Sequence, residues 1–140
     1  MMKTRQWNPA KDYPLAVGWW EERQSPAGYI PSADFLPRAG FVVEQGGDPL
    51  CMGWLYYYLD VAGAQLGYLV TNPANRPSES RDALTTLIRR VNALADEQGL
   101  RLVGRYSHAG IVQLLESAGW ETLEAGQVAL VRMGKARGQI

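Results

Sequence analysis

The chain has 140 residues, 46% of them hydrophobic and 20% charged, which suits one globular domain with a core of its own and not a disordered segment. Lys plus Arg equals Asp plus Glu at 14 each, so no net positive field draws a polyphosphate backbone, and nucleic-acid binding is disfavoured. The lone cysteine, Cys51, excludes an internal disulfide and a cysteine-rich metal site, and the lone histidine, His108, excludes any site built on two histidines.

In chain order, Arg5 to Asn8 reads as a short first strand. Asp12 precedes Pro14 and the run Leu15, Ala16, Trp19 and Trp20, the pattern of a capped helix with proline in its first turn. Gln24 to Pro37 holds Pro26, Gly28, Pro31 and Pro37 and reads as a long loop with one helical turn at most, anchored by Tyr29 and Phe35. Gly40 to Gln45, Leu50 to Leu59 and Ala64 to Thr71 follow as three strands of an antiparallel meander. Turns at Gly46-Gly47-Asp48-Pro49 and Asp60 to Gly63 separate them.

Asn72-Pro73 stops the third strand. Ser78 is then placed to cap the longest helix, with Glu79 and Asp82 in its first turn, where the dipole favours anions. Leu84, Leu87, Ile88, Val91 and Leu94 form its buried face, and Gly99 ends it. Leu100 to Tyr106 is a strand, and a second helix carries Ile111, Leu114, Leu115 and Ala118 up to Gly119. Trp120 to Leu123 and Gln127 to Met133 make a last hairpin around Ala125-Gly126. The order implies an α/β fold: one domain over residues 1–133, with a central mixed, mostly antiparallel sheet of about six to seven strands flanked by helices. Residues 134–140 read as a polar tail. No apolar run reaches the ~20 residues that span a bilayer, and Met1 to Gln6 lacks a signal peptide's apolar region. The expectation is therefore a cytoplasmic protein with no membrane partner.

Some residue types carry chemistry. His108 is the natural acid or base near neutral pH, although a histidine beside Ser107 in a turn reads equally as a cap. Tyr106, closing the preceding strand, is the other candidate proton donor. Glu44 ends a strand and reads first as a solvated carboxylate. Cys51 has no base placed beside it and reads as core. Tyr56-Tyr57-Tyr58 must alternate between sheet faces, so a residue such as Tyr57 either lines a pocket or packs as ordinary strand.

The whole order, with helix, glycine and aromatic before the last hairpin, resembles the GNAT superfamily of acyl-CoA-dependent N-acetyltransferases from Arg5 to Met133. Trp19-Trp20, Leu36-Pro37 with Gly40-Phe41-Val42-Val43-Glu44, and Val70-Thr71-Asn72-Pro73 look most like its small phage-type members. The resemblance implies acetyl-CoA as co-substrate and direct transfer of the acetyl group to an amine of a small molecule or protein. It places the pyrophosphate on the helix start at Arg76, Ser78, Glu79, Ser80 and Arg81, where amide donors and a cation converge. It places the pantetheine arm along the backbone of Leu69, Val70 and Thr71, and the acceptor near Tyr29, Phe35 and Tyr57. With one cysteine and one histidine, no metal is expected.

Four positions depart from the family's pattern. Glu79 and Arg81 stand where glycines would let the backbone approach the phosphates. Leu115 stands where relatives carry a proton-donating tyrosine, and Gln65 where others carry a glutamate base. The alternative reading is accordingly a GNAT-shaped module that has lost the chemistry and binds a partner through aromatics expected to be exposed, Trp7, Trp19, Trp20 and Tyr29. Those aromatics are as compatible with a homodimer face as with a lid.

Overall fold

The computed structural model describes residues 1–23, 30–106, 108–124 and 129–132. Its elements in chain order are β1 (Met2–Gln6), α1 (Pro9–Glu22), a 3-10 turn (Ala33–Phe35), β2 (Gly40–Gln45), β3 (Asp48–Tyr57) and β4 (Gly63–Thr71). Then come α2 (Pro77–Gln98), β5 (Arg101–Arg105), α3 (Ala109–Ser117), β6 (Glu121–Glu124) and β7 (Ala129–Arg132). The strand order is β1-β2-β3-β4-β5-β7-β6. The sheet is mixed: β4 and β5 are parallel, with α2 as the crossover that a parallel pair requires, and the other described pairings are antiparallel.

The chain forms two compact units, Met1–Trp54 with Tyr68–Leu87, and Leu55–Gly67 with the chain from Ile88 on. In the first, β2 and β3 meet through Gly46 (φ 60) and Gly47 (φ 86), the left-handed pair a tight hairpin asks for. Asp48 and Pro49, read from sequence as part of that turn, already pair with Gln45 and Glu44. Pro49 cannot donate to a ladder, and the register shifts beside it between Val43 and Glu44. The interior is aromatic, and Trp7, Trp19 and Trp20, expected at the surface, are buried in it because their rings carry the largest apolar area to remove from water. Trp54 is fully buried, with the Trp7 ring edge-on at 5.3 Å and the Trp20 ring tilted at 5.7 Å. A Cβ on Gly40 would fall 2.6 Å from Trp54 Nε1 and against the Trp7 ring, so only glycine fits there.

In the second unit, β5 pairs with β4 on one side and β7 on the other, and β6 flanks β7. Two helices end alike. After α2, Gly99 (φ 68) turns the chain so that the Leu100 amide reaches the Ala95 carbonyl at 2.8 Å. After α3, Gly119 (φ 96) does the same for Trp120 and Leu115, at 3.0 Å.

The element boundaries differ from the sequence expectation where a distant partner decides. The first strand begins at Met2, because β1 pairs from Met2↔Gln45 to Gln6↔Phe41. Helix α1 begins one turn before Asp12: Asn8 Oδ1 accepts the Ala10 amide at 3.1 Å, and Pro9 takes the first helical position, where a missing N–H costs nothing. Asp12 lies inside that helix, fully buried, and Pro14 lies in its interior. Ser78 is the second residue of α2, behind Pro77, and not its cap. Of the expected loop from Gln24 to Pro37, residues 24–29, with Tyr29, lie outside the described residues, as do residues 125–128 and 133–140.

Candidate functional site

In the first unit the site begins at the end of β4. Tyr68 sits mid-strand with φ 55, a left-handed conformation that a bulky residue rarely adopts and that persists only when its surroundings hold it. Its ring is edge-on to Trp20 at 6.3 Å and to Phe35 at 6.2 Å. Phe35 itself, on the 3-10 turn, is 52% exposed. Beyond Tyr68, Val70 is buried while Leu69 and Thr71 are half-buried, and the Thr71 carbonyl accepts from Arg23 Nε at 3.1 Å. Asn72 and Asn75 then fold the chain back: the Asn72 amide and Asn75 Nδ2 both donate to the Leu50 carbonyl at 2.9 Å.

That turn delivers the start of α2. The Ser80 amide donates to the Arg76 carbonyl at 3.1 Å, which makes Arg76 the cap residue. Glu79, three positions on, reaches back so that its Oε1 accepts the Arg76 amide at 2.9 Å and Arg76 Nε at 3.2 Å, the glutamate half of a capping box. The amide and guanidinium of Arg76 hold the Glu79 carboxyl below the usual carboxylate range. Pro77 has no N–H, so the amides of Ser78 and Glu79 are the donors this first turn can offer a ligand. Arg81 is exposed, and the Arg76 side chain is 79% exposed. Glu79 thus takes both the amide and the guanidinium of Arg76.

The second unit holds Tyr57, Tyr106 and His108. The Tyr57 hydroxyl donates to Gln98 Oε1 at 3.2 Å, and its ring is 44% exposed. The Tyr106 hydroxyl donates to the Leu66 carbonyl at 2.6 Å, and burial pushes its pKa up, so its proton is committed to β4. His108 caps α3, its Nδ1 accepting the Gly110 amide at 3.1 Å, which puts the proton of the neutral ring on Nε2. Leu115 is fully buried, so the expected tyrosine position belongs to the core. Gln65 is half-buried on β4. In the first unit, Glu44 is paired with Arg5 Nε at 3.0 Å, and Cys51 is fully buried.

The sequence-based candidates thus fall into two groups: Phe35, Leu69, Val70, Thr71 and the α2 start in the first unit, Tyr57, Tyr106 and His108 in the second. The sequence reading missed Tyr68, Arg23 and Asn75, since none sits in a motif and each acts through a partner far along the chain. Among the described residues no helix is long and apolar enough to cross a membrane, and no cluster of three or more His, Cys, Asp or Glu could hold a metal ion.

No family model and no curated protein matches this sequence. Solved structures do. The ribosomal-protein-S18-alanine N-acetyltransferase from Escherichia coli is 18% identical with a TM-score of 0.62, over 99% of this chain and 97% of that one. AAC(6')-Ib, in complex with paromomycin and acetyl-CoA, is 15% identical with a TM-score of 0.70, over 94% and 93%. N-acetylglutamate synthase from Neisseria gonorrhoeae, complexed with coenzyme A and N-acetyl-glutamate, is 16% identical with a TM-score of 0.69, over 95% of this chain. The chain spans about a third of that synthase, 35% of its length. With its mixed sheet, the α2 crossover and this likeness across nearly all of its length, the chain has the fold of the GNAT acyl-CoA N-acyltransferases.

Proposed function

We propose that this protein is an acetyl-CoA-dependent N-acetyltransferase acting on an amine of a small molecule or a protein. The observation that carries the reading is the likeness over 94% of this chain to AAC(6')-Ib, a structure that holds acetyl-CoA. In this reading the Ser78 and Glu79 amides, with the guanidinium groups of Arg76 and Arg81, bind the pyrophosphate once Glu79 swings off Arg76. The Ser80 hydroxyl, 3.2 Å from Asn75 Nδ2, stays on the turn that sets up this start. The backbone of Leu69, Val70 and Thr71 holds the pantetheine arm, and Phe35 and Tyr68 offer apolar surface to the acceptor.

Transfer is direct: the neutral amine nitrogen attacks the thioester carbonyl, the new C–N bond forms as C–S breaks, the nitrogen releases one proton and the departing thiolate takes one. Proximity supplies much of the rate. Tyr106 and His108 are unsuited to the proton steps, the first because its proton is bound to Leu66, the second because protonating Nδ1 would cost α3 its cap. Water carries those protons instead.

One observation favours a second reading, a module of the same fold that binds a partner without transferring acetyl groups. Glu79 already occupies the cation and the cap amide that a diphosphate would use. Calorimetric titration decides between the two. The transferase binds acetyl-CoA at one site and loses binding on Arg76→Glu, whereas an absence of heat at millimolar acetyl-CoA leaves only the module.

A further inference from the structure

The point where β4 and β5 part is held by a side chain. Their parallel ladder runs from Gly63↔Arg101 to Gln65↔Val103. Neither strand ends there: β4 continues to Thr71, and β5 continues to Arg105, paired with β7 through Gly104↔Leu130 and Arg105↔Ala129. Leu66 is the next residue of β4, and its carbonyl takes the Tyr106 hydroxyl at 2.6 Å in place of a backbone amide. A phenol thus satisfies an acceptor that the parting of two strands would otherwise leave orphaned.

The support around Tyr106 fits this role. Gly104, two residues earlier and on the same face of β5, has no side chain. A Cβ there would lie 2.7 Å from Tyr106 Cε2 and 3.3 Å from Trp120 Cζ3, so the glycine is the space the ring needs. Trp120 on the far side is itself fixed, its Nε1 donating to Asn92 Oδ1 at 3.0 Å while Asn92 Nδ2 donates to the Ala118 carbonyl at 3.1 Å. Burial raises the Tyr106 pKa, which keeps the hydroxyl protonated and donating.

We propose that Tyr106 is a positioning residue: its hydroxyl on the Leu66 carbonyl ends the β4–β5 ladder and fixes the backbone that runs on into Leu69–Thr71, the stretch assigned to the pantetheine arm. The inference rests on the acetyl-CoA reading and gives Tyr106 a part other than proton donation. Tyr106→Phe removes only the oxygen, so the ring can keep its place over Gly104. Wild type and variant are compared by calorimetric titration with acetyl-CoA and by amide hydrogen exchange at Gly67 and Tyr68. The expected result is affinity weaker by roughly tenfold, the scale of one lost hydrogen bond to a fixed backbone, with faster exchange at both amides. Gly104→Ala, which forces the ring to shift, moves both readouts the same way and serves if the first variant folds poorly.

Affinity within twofold of wild type, even with a lower melting temperature, overturns the proposal and leaves Tyr106 a structural residue. Unchanged affinity with a lost alkaline limb in the pH profile of kcat overturns it too, in favour of a proton donor. A wild-type chain that binds no acetyl-CoA overturns the transferase reading, and with it the purpose of the Tyr106 hydrogen bond.

Discussion

At the scale of single residues, the strongest electrostatic knot is the one around Asp12. Its carboxylate takes Arg5 Nη1 at 2.8 Å and Nη2 at 2.9 Å, together with the Asn8 amide at 2.6 Å, while Arg5 Nε reaches Glu44 at 3.0 Å. Burial alone would raise the Asp12 carboxyl, but Arg5 and the Asn8 amide hold it below the usual carboxylate range. Asp12→Ala strands Arg5 and that amide, and roughly 3–5 kcal/mol of stability is expected to go, measured as a lower urea midpoint at pH 7. Since the folded pKa lies below the unfolded one, the contribution is full above the unfolded carboxylate range and fades as pH falls through the lowered value. The wild-type and variant midpoints should therefore converge in acid; a gap that stays constant to pH 2 contradicts the pairing. Cys51 offers a second check. Burial pushes its thiol up to about 12, so the folded protein should leave a thiol reagent unreacted at pH 8 and react fully once denatured. The sequence shows Cys51 as core because a small apolar residue inside a strand needs no partner. It cannot show Asp12's role, because Arg5 and Glu44 become its neighbours only when β1, β2 and α1 meet.

At the scale of elements, the punctuation was legible and the starts were less so. Gly46-Gly47, Gly99 and Gly119 each take positive φ, so the turns they mark were visible as residue types. Helix starts depend on which polar side chain wins the cap, and there Asn8 outcompeted Asp12, and Arg76 with Glu79 outcompeted Ser78. His108 is the cap of α3 on this geometry. His108→Asn should keep stability within about 0.5 kcal/mol, since asparagine caps well, while His108→Ala should cost about 1 kcal/mol by thermal unfolding. Equal acetyl transfer by both variants fits a cap, and a loss confined to activity in His108→Asn fits a catalytic group. At α2, Glu79→Gln removes a carboxylate that competes with any diphosphate for Arg76. Acetyl-CoA affinity is expected to rise by roughly two- to fivefold, the range of one charge at a helix end, even as the cap weakens. A fall in affinity would show that Glu79 helps to build the site. Neither the φ of Tyr68 nor the Tyr106–Leu66 bond was legible: the first has no glycine to announce it, and the second joins residues 40 positions apart.

For the whole molecule, the order of elements carried the fold from the sequence, because strand and helix periods are written locally and a parallel crossover permits few topologies. The proposed chemistry was less legible, because the reading assigns the pantetheine arm to backbone groups of Leu69, Val70 and Thr71, which any residue type supplies. What the chain adds to its fold is a helix start whose arginine is held by its own glutamate and a mid-strand carbonyl of β4 held by a tyrosine. The most direct measurement of whether that fold serves acetyl transfer is native mass spectrometry of the purified protein mixed with acetyl-CoA. A one-to-one complex that disappears in Arg76→Glu is the expected result; a spectrum of bare protein at every acetyl-CoA concentration would contradict it.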